Sequence, residues 1–118
     1  MHERWRPERV FLYRQPVDMR KAIDGLSTLV IEQLGRDPSD QSMYVFVSRD
    51  RSKLKCLLWE RNGFWLMYKR LESQRFAWPR WFEDESMALD AEQLWQLLDG
   101  VDLNALRPHH ALVFSQLI

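Results

Sequence analysis

Between residues 44 and 70 cationic side chains are interleaved with aromatic ones: YVFVSRDRSKLKCLLWERNGFWLMYKR. The chemistry open to such a set is contact with nucleic acid. Arg49, Arg51, Lys53, Lys55, Lys69 and Arg70 carry charge that can neutralise phosphate and release counterions. Tyr44, Phe46, Trp59, Phe64 and Tyr68 carry rings on which unpaired bases, or a protein partner, can pack. Arg20, Lys21 and Arg61 are secondary candidates. Arg20 and Lys21 fall in the first turn of a predicted helix, where cations oppose the helix dipole but free N–H groups can donate to phosphate. An Asp18 cap with a weak Arg20–Asp24 pair explains that turn slightly better.

Other chemistries find little footing. Asp18, Asp24, Asp50 and Glu60 lie on separate segments and read as a cap, a helix surface and hairpin loops. Cys56 falls on a core-facing position and reads as an inert thiol. Three His and one Cys are too few and too scattered for a structural zinc site, and the His109-His110 pair reads as surface or tail. No Gly-rich phosphate loop, serine-nucleophile elbow or zinc-protease motif is present. No cofactor, metal or catalytic residue is expected.

The elements that must position the cations follow from periodicity and turn chemistry. Arg9–Arg14 reads as a short strand stopped by Pro16. Asp18 sits where an N-cap belongs, and Met19, Ala22, Ile23, Leu26, Val30 and Leu34 follow at helical spacing up to a capping Gly35. Strands are predicted at about Met43–Ser48, Lys53–Trp59 and Phe64–Arg70, joined by tight loops. Residues 71–85 read as irregular, and Met87–Leu89 as a short strand. Asp90 opens a second helix, with Gln93 completing a capping box and Gly100 ending it. Ala111–Phe114 is either a further strand or part of a loosely docked tail spanning 104–118.

Register then sorts the side chains, because neighbours in a strand point to opposite faces. With Arg49–Ser52 as the first loop, Val47 opposes Leu54, Val45 opposes Cys56 and Phe46 opposes Lys55. Met43, Val45, Val47, Leu54, Cys56, Leu58, Trp65 and Met67 share an apolar face, expected to cover the first helix. Tyr44, Phe46, Lys53, Lys55, Leu57, Trp59, Phe64, Leu66, Tyr68 and Arg70 share the other. That second face is an open stacking surface or a second core under the C-terminal half. The core is the favoured reading, since large exposed apolar patches are rare on monomers. On either reading Arg49, Arg51, Lys53, Lys55, Lys69 and Arg70 gather at one end of the sheet. The fold class is therefore α+β: an antiparallel meander with one helix on its apolar face and a smaller C-terminal helix.

The whole chain agrees with a single domain over 1–118. Its formal net charge of zero hides an asymmetry: residues 1–80 hold 16 Lys+Arg against 10 Asp+Glu (+6), and residues 81–118 hold 1 against 7 (−6). The asymmetry suggests an anionic partner for the first part, while the acidic part could shield that surface, recruit a basic partner or only aid solubility. The single cysteine and the absence of a signal peptide or a membrane-spanning apolar run point to the cytoplasm.

Five ordered motifs also resemble one family. They are Pro16-Val-Asp-Met-Arg-Lys21, Asp24-Gly-Leu26, Leu58-Trp-Glu-Arg-Asn-Gly-Phe-Trp65, Tyr68-Lys-Arg-Leu71 and Arg75-Phe-Ala-Trp-Pro79, and Leu94–Asp102 is similar to the family's closing helix. The family is the accessory protein (TnpB) from the second open reading frame of insertion-sequence-66-type transposable elements. Its members usually show Asp-Gly where Glu60-Arg61 stands here, so that turn is expected to differ. The resemblance implies a non-catalytic role in transposition beside a separate transposase that carries the catalytic carboxylates. With the basic cluster it gives the leading expectation, an accessory factor at element-end DNA. The alternative is a protein-interaction module docking another transposition subunit without touching DNA, through its aromatic face or Glu83, Asp84 and Glu85. An oligomer is compatible with either.

Overall fold

The computed structural model describes residues 7–79 and 82–104. The expectations for Ala111–Phe114 and His109-His110 lie outside the described residues. Seven elements follow in chain order: β1 Val10–Tyr13, α1 Ile23–Leu34, β2 Met43–Val47, β3 Lys53–Glu60, β4 Gly63–Arg70, β5 Ser86–Leu89 and α2 Ala91–Leu98. They form one five-stranded sheet in the order β4-β3-β2-β1-β5 with two helices, an α+β fold.

The meander β2-β3-β4 has the expected first register: Val47 pairs with Leu54, Val45 with Cys56 and Phe46 with Lys55. The second hairpin closes on Glu60 and Gly63 around Arg61 and Asn62, with Arg61 at φ 63°. That gives Trp59 opposite Phe64 and Lys53 opposite Arg70. Two further strands complete the sheet. β1 runs parallel beside β2, and β5 pairs antiparallel with β1 on its other side. A parallel pair needs a long crossover, and the β1-α1-β2 segment supplies it.

That crossover corrects the expected packing. α1 covers the face of Tyr44, Phe46 and Leu57, where Leu26 and Val30 join Tyr13 in a buried core flanked by Phe11, Phe64 and Leu66. The face of Met43, Val45, Val47, Leu54, Cys56 and Leu58 is covered instead by α2, through Leu94, Leu97 and Leu98, with Phe76 and Trp78. The two faces were partitioned as expected, but the helices sit on opposite faces from those assigned. Such crossovers are right-handed almost without exception, which leaves a helix only one side of the sheet. Central β2 is consequently buried at every residue, a pattern of fully covered strands.

Helix ends follow local chemistry unevenly. Asp90 accepts from the Gln93 amide at 2.7 Å while the Gln93 side chain accepts from the Asp90 amide at 3.0 Å, the expected capping box. Gly35 closes α1 in the left-handed region at φ 63°. Asp18 does not cap α1, which begins only at Ile23 with Ala22 at the cap position and no side-chain cap. Asp18 instead folds a separate turn: its carboxylate accepts from the Arg20 amide at 2.9 Å and from the Arg20 guanidinium at 2.7 Å.

Cys56 lies in the α2-side core, and burial pushes its thiol up to about 12. A thiol so protonated is a poor nucleophile. The native protein should therefore resist alkylation by iodoacetamide, followed by mass spectrometry, and take up one adduct on denaturation. Prompt labelling of the folded chain would contradict this placement.

Candidate nucleic-acid interface

The predicted cations gather where three segments meet at one end of the sheet. The β2–β3 loop brings Arg49 and Arg51, the start of β3 brings Lys53, and the end of β4 brings Lys69 and Arg70. Lys53 and Arg70 are cross-strand partners on the α1 face. Lys69 pairs across from Leu54 and so projects on the α2 face.

The loop is shaped by Asp50. Its carboxylate accepts from the Ser48 hydroxyl at 2.9 Å, the Ser52 hydroxyl at 2.8 Å and the Ser52 amide at 3.0 Å. These bonds turn the chain so that Arg49 is exposed and Arg51 sits at φ 64°. They also hold the Asp50 carboxyl well below the usual carboxylate range, the Ser52 amide contributing most. A carboxyl whose folded pKa is lowered stabilises above its unfolded value and loses that contribution as pH falls. The loop should therefore stay closed at neutral pH and loosen in strong acid. In a carbon-detected NMR titration Asp50 should titrate below the ordinary 3.8, and Asp50→Ala should speed exchange of the Ser52 amide at neutral pH. A normal midpoint would refute this.

Several cations have internal partners that limit what they offer. The Lys55 amine donates to the carbonyls of Met19 and Lys21, each at 2.8 Å, and lies 5.9 Å from the Tyr68 ring. Lys55 thus pins the Asp18 turn to the sheet and is a positioning residue. Lys69 donates to the Leu98 carbonyl at 2.7 Å, tying β4 to the end of α2. Lys53 is 4.0 Å from Asp50, Arg70 is 3.0 Å from Glu72, and Arg20 is bound to Asp18. The Arg20 guanidinium holds the Asp18 carboxyl down to about 2. Exposed pairs of this kind are weak, so a phosphate can compete with them.

The Lys55 contacts bring Arg20 and Lys21 to the same region, although both precede α1 and neither lies in its first turn. A backbone bond from Val17 to the Val47 carbonyl, 2.9 Å, lays residues 16–19 along the end of β2. Between them lies an open groove of about 510 Å³ lined by Pro16–Met19, Ser48–Asp50 and Lys53. Arg75 also belongs here: the Phe76 amide donates to the Arg51 carbonyl at 2.7 Å, so residues 75 and 76 run beside the loop. Arg75 lay in a region without periodicity, so strand patterning could not place it. Arg61 does not belong. It sits in the turn beyond the other end of β3, roughly 25 Å away along the strand.

The aromatic candidates separate by depth. Tyr44 and Phe46 are 1% and 0% exposed and form the core under α1, not a stacking face. Tyr44 also holds a polar network unseen in the sequence. Arg36 donates to its hydroxyl at 2.9 Å, that hydroxyl donates to Asp40 at 2.8 Å, and Arg36 lies over the Phe11 ring at 4.2 Å. Trp59 and Phe64 meet edge-on at 5.0 Å and are half-buried. Tyr68 is 53% exposed, and Trp65, assigned to the apolar core face, is 58% exposed.

The acidic segment lies at the same end of the sheet but on its far side. Arg14 donates to the Asp84 carbonyl at 3.0 Å and pairs with Glu85 at 3.9 Å beside β5, roughly 19 Å across the sheet from β4. The two charge signs are thus segregated along one rim. No helix of the described residues is long and apolar enough to cross a membrane, and no cluster of metal-ligating side chains occurs among them.

Comparison with known proteins places the chain in a family. The chain is 33% identical over 94 residues to a Sinorhizobium fredii (strain NBRC 101917 / NGR234) protein named Uncharacterized protein y4jC, covering 80% of each chain. It is 36% identical over 94 residues to y4hO of the same strain, covering 80% of this chain and 81% of that one. No solved structure matches. The model of the family described as IS66 Orf2 like protein matches residues 8–108, and the chain belongs to this family of transposition-associated accessory proteins.

Proposed function

We propose that the protein acts in transposition without catalysing a step itself, by holding DNA through the basic end of its sheet for a separate transposase. One observation supports this reading: Arg49 and Lys53 line one groove beside Pro16–Met19, Arg51 lies in the same loop, Arg70 is the cross-strand partner of Lys53, and Arg20 and Lys21 continue the segment that forms the groove's other wall. A rim of that sign draws polyanions and releases their counterions, with little dependence on base sequence. The described residues present no recognition helix beside it, so backbone contact is the mode it suits.

The test is duplex binding measured against salt. Affinity should fall steeply as salt rises and vary little with sequence. Absence of binding at low salt would remove the DNA reading and leave the second one, docking to another transposition subunit. An apolar groove between β4 and α2, lined by Leu54, Cys56, Met67, Trp95 and Leu98, favours that second reading. It requires association with a transposition partner that survives nuclease treatment of the lysate.

A further inference from the structure

β4 is an eight-residue strand at the rim of the sheet, and no strand of the described residues lies on its outer side. Native sheets usually blunt such an edge with proline, a bulge, a charge or brevity. β4 has none of these from Gly63 to Tyr68, and its pairing to β3 runs without a skipped residue. It also carries Trp65 and Tyr68, 58% and 53% exposed, on opposite faces. An edge of unpaired main-chain donors and acceptors is matched by another strand.

We propose that this strand is a second copy of β4, paired antiparallel about a two-fold axis to give one continuous sheet across a dimer. Glu60 and Gly63 close the two-residue turn as a hydrogen-bonded pair, so Phe64, Leu66, Tyr68 and Arg70 direct their N–H and C=O groups outward. An axis through Leu66 then sets Phe64 against Tyr68 of the second copy on the α1 face. It sets Trp65 against Met67 of the second copy on the α2 face. The sequence Phe-Trp-Leu-Met-Tyr is thus complementary to itself in reverse, as a two-fold interface requires. Aromatic–aromatic and sulfur–aromatic pairs are among the favourable cross-strand contacts. Parallel pairing would bring Lys69 and Arg70 of both copies side by side, whereas antiparallel pairing sets them opposite Gly63 and Asn62 of the second copy, with Glu60 and Arg61 beyond. The zero net charge of the chain leaves no overall repulsion between copies. The dimer presents its two basic ends in opposite directions.

Sedimentation equilibrium of the full chain should show a monomer–dimer equilibrium in the micromolar range. Trp65→Lys/Tyr68→Lys should weaken it at least ~10-fold, with unchanged circular dichroism. Leu66→Cys provides a second, direct measurement. Opposed residues in a hydrogen-bonded antiparallel pair have Cα atoms about 5.5 Å apart, within disulfide range. Mild oxidation should trap a covalent dimer through Leu66→Cys and none through Ile31→Cys, a control on the exposed face of α1. A wild-type monomer throughout that range would overturn the proposal, as would a dimer that Leu66→Cys fails to trap or that survives Trp65→Lys/Tyr68→Lys unweakened.

Discussion

Replacing Phe46 by alanine is expected to destabilise the fold by about 3–5 kcal/mol, the usual cost of truncating a buried aromatic ring. The side chain is 0% exposed, its ring centroid lies 5.9 Å from that of Tyr13, and Leu26, Val30 and Leu57 share its core. Few neighbours can move to fill the cavity, because β2 is held on both sides by strands and covered on both faces. Against a domain stability of about 5–15 kcal/mol the loss is large enough to unfold much of the population on mild heating. Tyr68→Ala, by contrast, removes a ring that is 53% exposed and should shift stability by no more than about 1 kcal/mol. Urea denaturation of both variants gives the comparison. Equal stabilities would mean that the face under α1 is not a packed core.

The second large effect concerns DNA. Arg49→Ala/Arg51→Gly should lower the slope of log affinity against log salt by about 2, since each phosphate contact contributes roughly 0.9. Glycine is the choice at position 51 because the backbone there has φ 64°, which a glycine adopts without strain. Stability should hardly change, as neither arginine fills the core. Lys55→Ala makes a poorer test, because its amine holds the Met19 and Lys21 carbonyls and its loss would loosen the groove as well as remove charge. Arg61→Ala, at the far end of the strand, should leave the slope unaltered. A slope unchanged in Arg49→Ala/Arg51→Gly, with DNA still bound, would locate the contact elsewhere.

The contrast among these variants also marks what could be read from the chain. Alternation along Met43–Val47, Lys53–Glu60 and Gly63–Arg70 placed every side chain on its correct face, because face assignment depends only on strand period and loop parity. The capping box of α2 and the left-handed Gly35 were equally legible, since caps depend on residues within one turn. The start of α1 was not. Asp18 serves a separate turn that is held in place by Lys55, 37 positions away in the chain.

Strand order was the larger gap. Nothing local tells β1 to lie parallel beside β2, and that pairing sends α1 to the Tyr44–Phe46 face and leaves the other to α2. The fate of the aromatics followed from it: Tyr44 and Phe46 became core while Trp65 and Tyr68 remained on the rim. The cations divide in the same way. Their gathering at one end of the meander was a property of sequence, because hairpin register brings Lys53 beside Arg70 whatever else packs nearby. Which of them are tied to internal partners was decided by tertiary contacts, with Lys55 and Lys69 bound to distant carbonyls and the 75–76 segment held beside the loop it passes. Local periodicity and turn chemistry act over a few residues and are written in the chain. Helix placement and the partners of long side chains arise from contacts dozens of residues apart, and only the folded molecule brings those together.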